Sequence, residues 1–281
     1  HRDLHSFPTR RSSDLGLVTF TLAASHSGGT VTTGNGGLRF LANYTGTGGT
    51  LNGNGTGTMD FRGNATFGTY THNGSSLIFA GGAAQDFNTN NRALPAVAVN
   101  KSGGSLRLVV SDASQAVSGG ALTFGCTGVT TIDLNGFSWT LGAASNVNNF
   151  VTMQLNAGSL LGGQNLTVSG TGLLTHTTGT LNVNALSYTS SAASTLGTGT
   201  VTVSGMLTMN GTGSLTQTGN SAAHSAGAIT VSAGTLAWDQ GTLSLGGAIL
   251  VNGAGTLNLG TKVVSGVTSL GMTAAGGTLN L

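Results

Sequence analysis

Beyond the first fifteen residues the chain carries five carboxylates, Asp60, Asp86, Asp112, Asp133 and Asp239, and it has no glutamate at all. Their separations are 26, 26, 21 and 106 residues. Acid–base cleavage of a glycosidic bond needs two carboxyl groups flanking that bond, and metal-assisted chemistry needs several around one cation. Only the 21-residue step offers a pairing, Asp112 over Asp133. Isolated corner carboxylates are the simpler reading of the set, with Arg107 balancing charge near Asp112. His26, His72, His176 and His224 have no second His, Cys or carboxylate within four residues, so the ligand spacing of a zinc site is absent. His176 and His224 are 48 residues apart, and solvated or corner positions are expected for all four. The single cysteine, Cys126, excludes an internal disulfide and reads as a small buried thiol. The many Gly-x-Gly strings are not followed by helical periodicity, which removes dinucleotide and P-loop readings. No Gly-Gly-x-Gly-x-Asp calcium repeat occurs. The sequence thus nominates no catalytic, cofactor-binding or metal-binding residue.

The elements that would position any site come from a recurring phrase: Gly, then Ser or Thr, then Leu or Val, any residue, then usually an apolar one. It appears at Gly158-Ser159-Leu160, Gly179-Thr180-Leu181-Asn182-Val183, Gly199-Thr200-Val201-Thr202-Val203 and Gly213-Ser214-Leu215. It returns at Gly234-Thr235-Leu236-Ala237-Trp238, Gly255-Thr256-Leu257-Asn258-Leu259 and Gly277-Thr278-Leu279-Asn280-Leu281. The glycines step by 21, 20, 14, 21, 21 and 22. A second column, Leu166, Leu186, Leu207, Ile229 and Ile249, steps by 20, 21, 22 and 20. A fixed period of this size is the mark of a repeat array. Alternating apolar and polar residues over four or five positions give a strand with one face buried, with Leu and Val inward and Thr180, Asn182, Thr200, Thr202, Thr256 and Asn258 outward. The expected fold is all-β: a parallel β-helix, or β-solenoid, of about 20–22 residues per rung, with right-handed crossovers favoured. Glycines are expected at corners that require positive φ.

Composition agrees with an all-β chain. Of 281 residues 49 are Gly and 2 are Pro, 38% are hydrophobic and only 6% are charged. Arg2, Arg10 and Arg11 against Asp3 and Asp14 sit in the first fifteen residues, so the formal charge of +2 falls to +1 beyond them. One excess charge cannot neutralise a row of phosphates, which argues against a nucleic-acid partner. No apolar run reaches the roughly twenty residues of a membrane-spanning helix.

Along the chain, residues 1–15 stand apart as a leader expected to be disordered. Within it, His5 to Leu15 resembles the translation of a common short-read sequencing adapter. Residues 16–281 then read as one solenoid, irregular over 16–112 and more regular over 113–281, and cut at both ends. The segment from Gly81-Gly82-Ala83-Ala84-Gln85-Asp86-Phe87 through Val97-Ala98-Val99-Asn100-Lys101-Ser102-Gly103-Gly104 resembles a block of very large bacterial secreted β-strand-repeat proteins. The later Gly-Thr-Leu-x-Leu rungs are similar to passenger repeats of autotransporter and filamentous-haemagglutinin-like adhesins. The resemblance implies a structural or adhesive segment, extracellular or at a bacterial cell surface, acting as a rigid stalk or a binding surface. It implies as partners a surface receptor or glycan, other matrix proteins, and the flanking rungs of a longer chain. It carries over no catalytic residue and no cofactor.

Two other functions compete at this level. A carbohydrate-active β-helix enzyme would need the clustered carboxylates that are missing, and an ice-binding solenoid would need unbroken threonine columns. Thr198, Thr200 and Thr202 have the right spacing, but Asn182, Ala237, Asn258 and Asn280 interrupt the column. Trp139, Trp238, Tyr44, Tyr70 and Tyr188 could stack on sugars if exposed. Trp238 occupies an apolar position of the phrase and is expected in the core.

Overall fold

In the computed structural model the described residues are 2–3, 16–73, 75–90, 94–109, 114–116, 121–218, 223–238, 241–260, 262–273 and 276–281. Among them there is no helix, and every strand pairing with a defined register is parallel. The parallel sheets stack as a β-solenoid, as the repeat spacing predicts. The chain divides into two compact units, His1–Asp133 and Leu134–Leu281.

In the second unit, one strand from each coil stacks on the next in a continuous ladder. Leu166 pairs with Leu186, Leu186 with Leu207, Leu207 with Ile229, Ile229 with Ile249 and Ile249 with Leu270. This is the second column of the sequence, and all members up to Ile249 are buried. Val168, Tyr188, Met209, Val231 and Val251 form a parallel inward column beside it. On the adjoining face Trp139, Leu160, Leu181 and Val201 stack inward. A third face stacks Leu215, Leu236 and Leu257. Fully burying each aliphatic side chain contributes about 1.5–3 kcal/mol, and short strands with one apolar face have no other way to obtain it.

The glycine phrase occupies two different ladders, which the sequence alone does not separate. The phrases at Gly158, Gly179 and Gly199 lie on the face of Leu160, Leu181 and Val201. Those at Gly213, Gly234, Gly255 and Gly277 lie on the face of Leu215, Leu236, Leu257 and Leu279. The one short interval in the glycine series, from Gly199 to Gly213, is the step from one face to the other within the array, and it is no coil length. The expected reason for these glycines also needs correcting. Only Gly234 has positive φ. At Gly179 and Gly199 the backbone of the preceding coil passes so close that an added Cβ would strike the carbonyl oxygens of Gly158 and Gly179.

In the first unit the looser phrases hide an equally regular ladder. Phe20 pairs with Phe40, Phe40 with Phe61, Phe61 with Phe79, Phe79 with Val99 and Val99 with Phe124. Coil length changes from one of these pairs to the next, because loops vary while the inward column keeps its register. Phe20, Phe40 and Phe61 stack nearly parallel, with centroids 5.0 and 5.1 Å apart and planes at 8° in both pairs. Tyr44, Phe67, Phe79 and Phe87 close the rest of this aromatic interior. Stacked rings add about 0.5–1.5 kcal/mol per pair beyond area burial. Pro95 sits two residues before the strand Val97–Lys101, where no ladder N–H is lost, and Gly104 (φ 74°) turns the chain into the strand Gly104–Leu108. Of residues 1–15 only Arg2 and Asp3 are described, paired with Ala24 and Ser25.

Candidate functional site

Alternation decides where each chemically capable side chain goes. Asp86, Arg107 and Asp133 occupy one outward column, Asp86 in register with Arg107 and Arg107 with Asp133. Arg107 Nε and Nη2 donate to the two carboxylate oxygens of Asp86, at 3.0 and 3.1 Å. The Asp86 carboxylate raises the Arg107 pKa further, with Asp133 a lesser contributor. The expected partner of Asp133, Asp112, lies outside the described residues. Arg107 takes the ladder position next to Asp133, because this coil is longer than the regular step of the array. Asp239 also lies outside the described residues.

Asp60 is almost fully buried at the foot of an outward face, where Oδ2 accepts from Arg39 Nε at 2.6 Å and from Arg62 Nε and Nη2, both at 3.3 Å. Its Oδ1 has no partner. A carboxylate held by two guanidiniums is charge-balanced and directed away from any second carboxylate. The described carboxylates therefore form no acid–base pair: Asp60 and Asp86 are engaged with arginines, and Asp133 neighbours one.

The histidines overturn the expectation of solvated or corner positions. His26, His176 and His224 are all buried, at 1%, 4% and 2% exposure, and the side chain of His72 is outside the described set. An imidazole can occupy an inward strand position when one nitrogen finds a partner, as His26 Nδ1 does with the Tyr44 hydroxyl at 3.2 Å. His224 Nδ1 accepts from the Val201 backbone N–H at 3.1 Å. Burial pushes His176 below the usual imidazole range. It pushes His224 down to about 4, with the charges of Lys262 and His176 adding to the effect. No group of three His, Cys, Asp or Glu side chains suited to a metal ion occurs among the described residues.

Two buried lysines are not legible in the sequence as interior residues. Lys101 closes an inward row and is fully enclosed, its Nζ donating to the Ala83 carbonyl at 2.7 Å and to Gln85 Oε1 at 2.6 Å. Gln85 Nε2 in turn donates to the carbonyls of Phe61 and Gly63. Burial lowers the Lys101 pKa to about 8, opposed in part by the Cys126 thiol. That thiol is half-buried and donates to the Val99 carbonyl at 3.4 Å. Lys262, in the second unit, reaches Gln217 Oε1 at 3.2 Å and lies 5.3 Å from the centre of the Trp238 ring.

The aromatic side chains considered for sugar stacking all point inward: Trp139, Trp238, Tyr44, Tyr70 and Tyr188 are buried. Tyr188 is tied in by its hydroxyl, which donates to the Ala192 carbonyl at 2.6 Å and meets Ser194 Oγ at 2.9 Å. Ser194 Oγ also accepts from the Leu174 backbone N–H. Tyr188→Phe is therefore expected to cost about 2 kcal/mol, since it leaves buried polar groups without their partner. Urea unfolding measures this as a lower midpoint at unchanged slope.

What faces solvent is mostly hydroxyl and amide. Asn146, Thr167, Ser187, Thr208 and Thr230 form one outward column. Asn182, Thr202, Ser225, Ser244 and Ser265 form another. Ala237, Asn258 and Asn280 belong to a different face, in line with Thr216, so they do not interrupt the Thr202 column as the sequence spacing suggests. Asparagines also bind successive coils: Asn43 Oδ1 accepts from the Asn64 N–H, and Asn64 Oδ1 from the Asp86 N–H, both at 2.9 Å. No protein-family model matches this sequence, and no curated protein or solved structure is significantly similar to it.

Proposed function

We propose that this chain is a structural or adhesive repeat segment of a large bacterial secreted or surface protein, working outside the cell as a stiff spacer and binding surface. The observation that carries this reading is the division of labour across the strands. Among the described residues His26, His176, His224, Lys101 and Lys262 are turned into the core and Asp60 and Asp86 are held by arginines, while successive coils repeat uncharged hydroxyl and amide groups outward. Repeated small polar groups at about 4.8 Å spacing suit weak, multivalent contact with a glycan or a matrix protein. Among the described residues no two carboxylates converge on such a surface. The resemblance of the repeats to autotransporter passenger and haemagglutinin-like segments points the same way.

Beads coated with the 281-residue chain are expected to be retained on glycan- or matrix-coated surfaces under flow. Thr208→Lys combined with Thr230→Lys should reduce retention at least several-fold without changing the β-sheet circular dichroism. Release of new sugar ends from a polysaccharide by the purified chain would instead establish the carbohydrate-active enzyme and overturn the proposal.

A further inference from the structure

Lys101 and Gln85 belong to successive coils of the first unit and meet in its interior. Lys101 ends the strand Val97–Lys101, in register with Gly81 of the coil before. Gln85 opens the strand Gln85–Asn88, which follows Gly81 in that earlier coil. Both side chains point inward, at 0% and 1% exposure. Lys101 Nζ donates to Gln85 Oε1 at 2.6 Å and to the Ala83 carbonyl at 2.7 Å. Gln85 Nε2 donates to the carbonyls of Phe61 and Gly63 at 3.0 and 2.9 Å. Two acceptors on one side and an amine on the other fix the carboxamide with its oxygen toward the lysine.

A contact of 2.6 Å to an oxygen that is itself about 1.23 Å from its carbon places Nζ between about 2.9 and 3.8 Å from Gln85 Cδ. That range includes the separation of about 3–3.5 Å at which an amine and a carbonyl carbon react. An amide is inert to a dissolved amine, but a fixed pair reacts as if one partner were present at about 10⁵–10⁸ M. The surroundings suit the exchange. Nε2, the nitrogen that must leave, faces two carbonyls able to hold the proton it gains. In the product the one N–H left on Nζ keeps the Ala83 carbonyl as its acceptor. The reaction also removes an ammonium group from a place where burial disfavours its charge.

We propose that Lys101 and Gln85 join in an intramolecular isopeptide bond, with release of ammonia, that ties two coils of the first unit together. The unprotonated Lys101 amine attacks Gln85 Cδ and forms the Nζ–Cδ bond. One Nζ proton passes to Nε2, the Cδ–Nε2 bond breaks, and its electron pair leaves with ammonia, so no atom changes oxidation state. With a pKa of about 8, about a tenth of the amine is unprotonated at pH 7 and about nine tenths at pH 9, and the bond forms about ten times faster at the higher pH. The other titratable group acting on this amine, among the described residues, is the Cys126 thiol. Freshly folded chain at pH 7 keeps its amine.

The test is the mass of the intact 281-residue chain, held folded at pH 9 and then digested with trypsin. A loss of about 17 Da, one ammonia, is expected to accumulate. Cleavage after Lys101 should fall in the same proportion, with residues 63–92 recovered joined to residues 93–107. Cyclisation of asparagine at a step such as Asn135-Gly136 loses the same mass but joins no peptides, so the digest separates the two reactions. Lys101→Met should release residues 63–92 as a free peptide. Wild-type chain kept unfolded in guanidinium chloride at pH 9 should do the same, because only the fold brings the two side chains together. The proposal is overturned if folded wild-type chain held at pH 9 still yields residues 63–92 entirely free. It is overturned equally if the unfolded chain gives the joined peptide as readily as the folded one.

Discussion

Gly179→Ala is expected to destabilise the second unit by about 3 kcal/mol or more. The added Cβ would fall on the Gly158 carbonyl oxygen, with the Gly158 carbonyl carbon at 2.8 Å and the Ala157 carbonyl carbon at 3.2 Å. These are backbone atoms of the neighbouring coil, so no side chain can rotate away. Relief requires two coils to part, which breaks ladder hydrogen bonds such as Leu160 N–H to the Thr180 carbonyl and Leu181 N–H to the Thr200 carbonyl. Gly136→Ala provides the contrast. Its φ is 83° and nothing lies within 4 Å of the added carbon, so it should cost only the local conformational strain, about 1 kcal/mol. Thermal unfolding of the two variants measures the difference. Equal losses would mean that the close approach of the coils is not what selects glycine in the phrase.

Between pH 8 and 10 the chain is expected to gain about 2.5 kcal/mol of stability from Lys101 alone. Its folded pKa of about 8 lies below the ordinary value of 10.5. In that window the unfolded chain holds a proton that the folded chain has released, so the unfolded state binds more protons and stability rises with pH. Below pH 8 both states are charged and the cost of burying the ammonium is felt in full. Above pH 10 the gain is opposed by the buried phenols, because Tyr44 is pushed well above its usual range and Tyr70 up to about 12. Those groups keep their protons in the fold where the unfolded chain loses them. Urea unfolding of the wild type at pH 7, 8, 9 and 10, set beside Lys101→Met, isolates the effect. The variant loses a donor to Gln85 Oε1 and should show a flat profile over this range. A wild-type profile as flat as that of the variant would refute the assignment.

Period and polarity make the second unit legible. Leu166, Leu186, Leu207, Ile229 and Ile249 are neighbours in space because their spacing equals the coil length. The first unit is harder to read because its inward column is aromatic and its loops vary, so Phe20, Phe40, Phe61 and Phe79 do not share a flanking phrase. The polar interior is the least legible part. Lys101, His176 and His224 have ordinary solvent-facing chemistry, and only the strand's alternation, together with sequence-distant partners such as Gln85, Leu196 and Val201, brings them inward. The expected pairing of Asp112 with Asp133 involves a residue outside those described; what is shown is that a constant 21-residue step does not hold across this coil, where Arg107 is the residue in register with Asp133. Burial of Trp238 follows from its place in the phrase, whereas its stacking on His224 and Lys262 depends on three separate coils meeting.

The claim that coils stack in register is tested most directly by distances between spin labels on one outward column of the second unit. Asn146, Thr167, Ser187, Thr208, Thr230 and Leu250 succeed one another across adjacent coils. With Cys126 replaced by Ser, label pairs joining position 146 to 208, 230 and 250 should lie about 14, 19 and 24 Å apart, rising by about 4.8 Å per coil. Distances that fail to rise in that order, or that jump by twice the inter-strand spacing or more between successive pairs, would contradict the stacked arrangement.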